Sequence, residues 1–501
     1  MNAEGIARRL FKGSIWVSAA RAITNVLAVL STFVLARLLD PSDFGLVALA
    51  TTMLALVTAF TEVSMNEALV RHQDPTPQHF SSAWTVNALR GLLVFALFAA
   101  IAQPAAAFYD EPRLMPVMFA LGAGILVFSL GNPRRIMLQR DLVFWQDFVL
   151  NVSQKLVGVI ASIAIAWIYR SYWALVVGIV LSQLTYFALS YLILPFRPRV
   201  TVKHARELMS FSIWLTLAQI VNTLNWRFDH LLVGKFLGRA DLGYYSVGSN
   251  LAAMPTRELA FPLTMTIFPG FAMIAGNRPR LAAAYQRAQS FVSAIALPSG
   301  IGAAILADPL VRLVMGEKWE PAIFIIQALA AVVALQTLGS LVQPLAMALG
   351  QTRLLFIRSA QMLALRLPIV IFGLYIDGLR GLVLARIATG LIGALVDMLL
   401  VKRFTGLTVT SQLAVNLRAL LSVTAMVIGA LLLGHEISFD RTTTGLVQEV
   451  ATVGMTCALL YSLTTLVLWQ LAGRPLGPEA QIIELARNIF RRLGFSRGRS
   501  A

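Results

Sequence analysis

The stretch SIWVSAARAITNVLAVLSTFVLARLLDPSDFG, residues 14–45, has a diverged second copy in this chain. Shifting every number by 198 brings up SIWLTLAQIVNTLNWRFDHLLVGKFLGRADLG, residues 212–243, without a gap. Ser14-Ile15-Trp16 matches Ser212-Ile213-Trp214, and Asp43 and Gly45 match Asp241 and Gly243. Arg37 is replaced by the equally basic Lys235. Identity at both ends of so long a window points to an internal duplication and not to chance apolar similarity. Two halves that begin alike imply two lobes.

The composition sets the class. Hydrophobic residues make up 58 % of the 501 and charged residues 13 %, and the mean hydropathy is +0.75. A soluble chain carries about a quarter charged residues. Segments 288–307, 321–352 and 450–473 contain no Asp, Glu, Lys or Arg, and about 20 apolar residues suffice to cross a bilayer as a helix. The chain reads as an all-α, polytopic membrane protein. Its one cysteine, Cys457, excludes an internal disulfide or a cysteine metal cluster. The five histidines are scattered without metal-ligand spacing, so no cofactor is expected. A net charge of +17 comes from residues that punctuate apolar spans, which argues for a membrane and against nucleic acid. Arg8, Arg9 and Lys12 precede the first apolar run as they do in a signal peptide. Arg21 interrupts that run and no small-residue cleavage pattern follows, so it is read as a retained span.

Apolar runs bounded by charges, Pro and Gly give about fourteen spans: 14–38, 44–69, 81–107, 114–134, 145–168, 172–195, 208–234, 243–272, 285–307, 321–349, 354–376, 379–402, 412–434 and 446–472. With the N-terminus inside, alternation places 24 basic residues inside and nine outside. The outside turns also hold the acids Asp40, Asp110, Glu111, Asp308 and Glu320. This is the positive-inside bias, with both termini cytoplasmic. The two copies start six spans apart, so they begin on the same side and the repeat is parallel. The expected organisation is an N-lobe over 1–207, a C-lobe over 208–405 and two appended spans in 406–472. A basic tail follows over 473–501. Its Ile482, Leu485, Ala486, Ile489 and Leu493 sit at helical spacing, and it reads either as an amphipathic helix or as a solvated tail.

Every outside turn is short, and no phosphate loop, H-E-x-x-H, G-x-S-x-G or dinucleotide fingerprint is present. The sequence thus offers no enzyme site, and the chemistry rests on charges inside spans. A charge facing lipid costs about 2.5–3.5 kcal/mol, so these residues should face the bundle interior or snorkel to an end. Arg21, Lys155, Arg227, Arg257, Arg366 and Arg386 are candidates for a cationic cavity that would attract phosphate or uronic-acid groups. Arg257 and Glu258 are adjacent and alternatively neutralise each other, while Arg90 and Arg418 lie close enough to the inner ends to snorkel. Asp229, Glu62 and Asp397 are the ion-coupling candidates. Asn222, Asn225 and Asp229 fall on one face of span 7. The alternative for Asp229 is an Arg227–Asp229–His230 network that locks helices together. Arg386 and Asp397 share a face of span 12 without touching.

Four motifs carry a family resemblance. They are the run from Val34 to Ala48, the Tyr109-Asp110-Glu111-Pro112 turn, the stretch Arg134 to Asp141, and Tyr244-Tyr245-Ser246. With them the chain resembles the Wzx-like polysaccharide transporters of the MOP flippase superfamily, which also holds MATE exporters and MurJ-type flippases. The resemblance implies a twelve-helix, two-lobe V with two C-terminal helices and alternating access. It implies an undecaprenyl-diphosphate-linked oligosaccharide as cargo, moved across the bacterial inner membrane for capsular, extracellular or O-antigen polysaccharide. It implies membrane lipids, a polymerase and a chain-length regulator as partners of a monomer. An ion-coupled exporter of small molecules is the alternative, and an integral polymerase or ligase a more distant one.

Overall fold

A computed structural model describes residues 3–61, 69, 75–140, 143–205, 213–437, 439–475 and 477–480. Among them there is helix and turn and no strand. The helices begin where the sequence supplies starters. Pro41 opens α2 (Pro41–Thr61) and Pro77 opens α3 (Pro77–Phe108), at positions where a missing backbone N–H costs nothing. Asn277 caps α10 (Arg278–Ile305) by accepting from the Arg280 N–H at 3.0 Å. Thr408 and Thr442 do the same for α15 (Val409–Glu436) and α16 (Thr443–Leu471), each at 3.2 Å.

Two compact units result, one of Met1–Ser246 with Val314–Lys318, the other of Val247–Leu313 with Trp319–Ala501. The first holds α1 (Ala3–Leu38), α2, α3, α4 (Leu114–Ser129), α5 (Arg135–Arg140), α6 (Phe144–Tyr169), α7 (Trp173–Ile193) and α8 (Ile213–Phe236). In it α6 packs between α1 and α7, α4 between α3 and α7, and α8 along α2. Helix α9 (Arg239–Ile274) starts in this unit and passes into the second after Ser246. The second unit continues with α10, α11 (Ala307–Val314), α12 (Glu320–Gln336), α13 (Val342–Ala348), α14 (Thr352–Thr405), α15 and α16. Here α10 packs against α12 and α15, α14 against α12 and α13, and α16 against α15.

Among the described residues, ten helices are long and apolar enough to cross a membrane. Their outer faces are apolar: Trp167, Leu192 and Tyr375 are 72 %, 79 % and 89 % exposed, as lipid contact demands and water forbids. The protein is a multi-pass membrane protein. The fourteen sequence spans do not map one to one onto those ten. Span 4 is a helix of 16 residues (α4), and spans 7 and 8 (α8 and α9) hold too much polar content to qualify. Spans 11 and 12 are the arms of α14, which folds at Asp377 and Gly378. Gly378 there adopts φ 50° and ψ −129°, a conformation reserved for glycine.

The repeat leaves a mark in the packing of the first unit. Gly45, in the first turns of α2, lies so close to Arg239 that a β-carbon would stand 1.7 Å from the Arg239 carbonyl oxygen. Gly243, its equivalent in α9, would place a β-carbon 1.9 Å from the carbonyl oxygen of Pro41. Residues 41 and 239 are themselves equivalent, so the two contacts are one contact and its mirror under the repeat. A parallel twofold relation produces such reciprocity.

Candidate functional site: buried charges in each unit

In the first unit the densest polar group lies at the end of α8. Asp229 is 1 % exposed, and Asn225, one turn earlier, and His230 are also buried. The Tyr245 hydroxyl of α9 donates to Asp229 Oδ2 at 2.9 Å, and its ring meets the His230 ring edge-on at 5.2 Å. Asn225 turns its amide back to the Val221 carbonyl at 3.2 Å. Asn222, on the same helical face, is exposed where Asn225 and Asp229 are buried. Asp229 is thus bonded to the start of α9 through Tyr245, a residue that the sequence candidates did not include.

Arg21 on α1 and Arg227 on α8 are half-buried. Lys155 on α6 is half-buried too, with no hydrogen bond or ion pair among the described residues. Arg90 reaches across to the Thr58 carbonyl of α2 at 3.3 Å, a bond between spans where snorkelling was expected. Glu62 lies outside the described residues.

In the second unit Arg257 is exposed and 3.5 Å from Glu258, so these two neutralise each other as the sequence allowed. Arg366 and Arg386 are half-buried on the two arms of α14. Asp397 is buried, and its partner is Arg358, whose Nη2 donates to Oδ2 at 2.5 Å. Arg358 was not among the sequence candidates. The fold of α14 at Gly378 returns the second arm beside the first, and 39 residues of separation vanish in space. Gly339 closes the site, since a β-carbon there would stand 2.6 Å from Asp397 Cβ. Asp397 Oδ1 and Arg358 Nε remain unpartnered among the described residues. A buried pair with one open lone pair can accept a proton or a small cation without rearranging.

Arg418 has a carboxylate beside it. Its Nη1 lies 3.2 Å from Glu479, a buried residue of the chain that follows α16. Between α11 and its surroundings, Arg312 donates to Asp308 at 2.9 Å and Glu320 at 2.8 Å, while Arg441 reaches Asp308 at 3.1 Å. The bonds to Glu320 and then Asp308 push the Arg312 guanidinium above its usual range, so it stays charged. Among the described residues no three His, Cys, Asp or Glu side chains gather into a metal-binding group.

The model of the polysaccharide biosynthesis protein family Polysacc_synt_3 matches residues 34–324, more than half of the chain. The chain belongs to that family. Family relatives include the lipopolysaccharide biosynthesis protein WzxC of Escherichia coli K12, 23 % identical over 78 % of this chain and 80 % of that protein. The succinoglycan biosynthesis transport protein ExoT of Rhizobium meliloti is 24 % identical over 71 % of this chain and 72 % of its own. In fold, this Polysacc_synt_3 member is similar to the lipid II flippase MurJ in an inward-closed conformation. The TM-score is 0.72 at 15 % identity, covering 91 % of this chain and 99 % of the other. It is also similar to an inward-facing multidrug MATE transporter, with TM-score 0.57 at 15 % identity over 76 % and 94 %. The fold is that of the MOP superfamily, as the sequence motifs implied.

Proposed function

We propose that this protein is a flippase that carries a lipid-linked oligosaccharide, its lipid an undecaprenyl diphosphate, across the bacterial inner membrane. Family membership across residues 34–324 carries the reading. Relatives named for polysaccharide transport and lipopolysaccharide biosynthesis support it, as does the flippase fold. The protein is not an enzyme in this reading. It works by alternating access through fourteen spans, with two six-span lobes, both termini cytoplasmic and a monomeric state. Arg21, Lys155 and Arg227 in the first unit and Arg366 and Arg386 in the second are the cationic candidates for the diphosphate, and Lys155 is the one whose charge nothing in the described protein uses. Arg257, exposed and beside Glu258, contributes least. Asp397, paired to Arg358 with an oxygen to spare, is the coupling residue, and Asp229 is structural. A polymerase and a chain-length regulator are the partners that would consume the delivered repeat.

The test is the sidedness of lipid-linked oligosaccharide in a deletion strain, read with a membrane-impermeant probe. Accumulation facing the cytoplasm is the expected result. Normal delivery to the outer face with no polymer would return the polymerase reading. Unchanged glycan with raised drug sensitivity would favour the small-molecule exporter, whose MATE fold this chain shares.

A further inference from the structure

Just after its last helix the chain turns back into the second unit. Helix α16 stops in a left-handed turn, with φ 78° at Gly473 and 57° at Arg474, and the Arg474 N–H donates to the Trp469 carbonyl at 3.0 Å. The Trp469 indole donates to the Pro475 carbonyl at 3.0 Å and holds the reversed chain against the helix it has just left. A new helical turn starts at Pro478. Pro478 and Glu479 are both buried, Glu479 at 8 % exposure.

Glu479 enters a cleft lined by Ser290 and Ala294 of α10, Arg418 of α15, and Tyr461 and Thr465 of α16. The walls are tied to one another without it. The Tyr461 hydroxyl donates to the Ala294 carbonyl at 2.7 Å, and Thr465 shares a hydrogen bond of 2.9 Å with Ser422 of α15. The cleft is therefore a feature of the three helices, and the tail is its occupant. Glu479 Oε1 lies 3.2 Å from Arg418 Nη1. The match is incomplete, because Arg418 Nη1 and Glu479 Oε2 are buried and have no hydrogen-bond partner among the described residues.

The depth of Arg418 says what else could reach it. Helix α15 begins at Val409, so Arg418 lies about 14 Å along a helix of about 42 Å. Centring that helix on a hydrocarbon core of about 30 Å puts the Arg418 backbone about 8 Å inside the core. Side chains lean toward the N-terminus of their helix, here the inner end in the topology proposed above. On its long stem the guanidinium thus reaches the phosphate level of the inner leaflet. A carboxylate on the tail and a phosphate on a lipid compete there for one cation. The phosphate takes a guanidinium through two parallel bonds, where Glu479 leaves Nη1 without one.

We propose that the cleft around Arg418 is a headgroup site for an acidic phospholipid of the inner leaflet, and that Glu479 is its tethered occupant, so that an acidic leaflet releases the tail. The proposal takes only the inner side from the transport reading. Spin labels on Leu413→Cys, an exposed residue of α15, and on Ala480→Cys, with Cys457→Ser, report docking as a distance by double electron–electron resonance in nanodiscs. In neutral phosphatidylcholine one short distance is expected. Phosphatidylglycerol should lower the ratio of docked to released tail about tenfold, the worth of one charged hydrogen bond. E479Q should release the tail to the same extent in neutral lipid. Arg487, Arg491, Arg492, Arg497 and Arg499 follow in the sequence, and an acidic leaflet attracts them whether or not the cleft is a site. The charge swap R418E/E479R separates the two causes. It should stay docked with and without phosphatidylglycerol, because the cleft then offers the lipid no cation. R491Q/R492Q, which leaves the cleft intact, should still release and serves where the swap fails to fold. The site is overturned if the unswapped protein stays docked in phosphatidylglycerol or E479Q stays docked in neutral lipid. It is equally overturned if the swap releases or R491Q/R492Q does not. The distances need no transport, so a deletion strain with undisturbed lipid-linked glycan would discard the flippase and leave this site standing.

Discussion

Arg358 and Asp397 show what a single buried pair demands. Asp397 is held in the bundle by one bond of 2.5 Å, so removing Arg358 leaves a carboxylate with no counter-charge. R358Q should therefore lower stability by about 3 kcal/mol, as expected for a broken buried pair, while the double variant R358Q/D397N recovers most of the loss. Thermal midpoints in detergent would show this, and equal losses in the single and double variants would refute the pairing. Tyr245 supports a similar argument on a neutral donor. Y245F removes the hydroxyl that Asp229 accepts from and should cost about 1–3 kcal/mol, the penalty for stripping a partner from a buried acceptor. An unchanged midpoint would mean that Asp229 is satisfied without Tyr245. Neither partner was legible in the sequence. Helical spacing relates residues three, four and seven apart, but Arg358 comes from the opposite arm of a folded helix and Tyr245 from the next element. The spacing rule did find the buried face of α8 at Asn225 and Asp229. It could not say that Asn222, on the same face, is exposed, because the period fixes direction around the helix and not burial along it.

At the scale of elements, the repeat was the most informative sequence feature, and it reached further than topology. Equivalent positions 45 and 243, and 41 and 239, turned out to be the contacting ones. The sequence reading used these residues as markers of duplication and had no means to see that the copies touch. Gly45→Ala and Gly243→Ala put a β-carbon under 2 Å from a carbonyl oxygen, and the two turns must part by more than an ångström to admit it. Each substitution should cost about 1–3 kcal/mol, as overpacking does. Because either one separates the same two turns, the double variant should cost little more than one. Additive losses would show that the two contacts are independent and that the reciprocity has no mechanical meaning. The count of fourteen spans is not confirmed, because only ten helices among the described residues pass by length and hydropathy. Helices α8 and α9 fall short because they carry polar residues, among them Asp229 and Tyr245, which are buried and bonded to each other.

For the whole molecule, the decisive question is whether intramembrane cations serve the cargo or the fold. The two roles predict opposite signs. A cation that locks helices lowers stability when it is lost, whereas one that waits for an anionic ligand relieves a desolvation cost when it is removed. Lys155 separates the cases best, because it is half-buried within a span and lacks a partner among the described residues. Lys155→Met keeps the length of the side chain and deletes the charge. The thermal midpoint of the purified protein should hold or rise, while delivery of lipid-linked oligosaccharide to the outer face should fall by about tenfold, the worth of one charged hydrogen bond. Arg21, Arg227 and Arg366, changed together to Gln, should abolish delivery. A drop in midpoint with transport retained would make Lys155 a structural residue and remove the strongest member of the cationic surface. Loss of delivery at an unchanged or higher midpoint would identify charge that the fold carries at its own expense, which only a charged cargo explains.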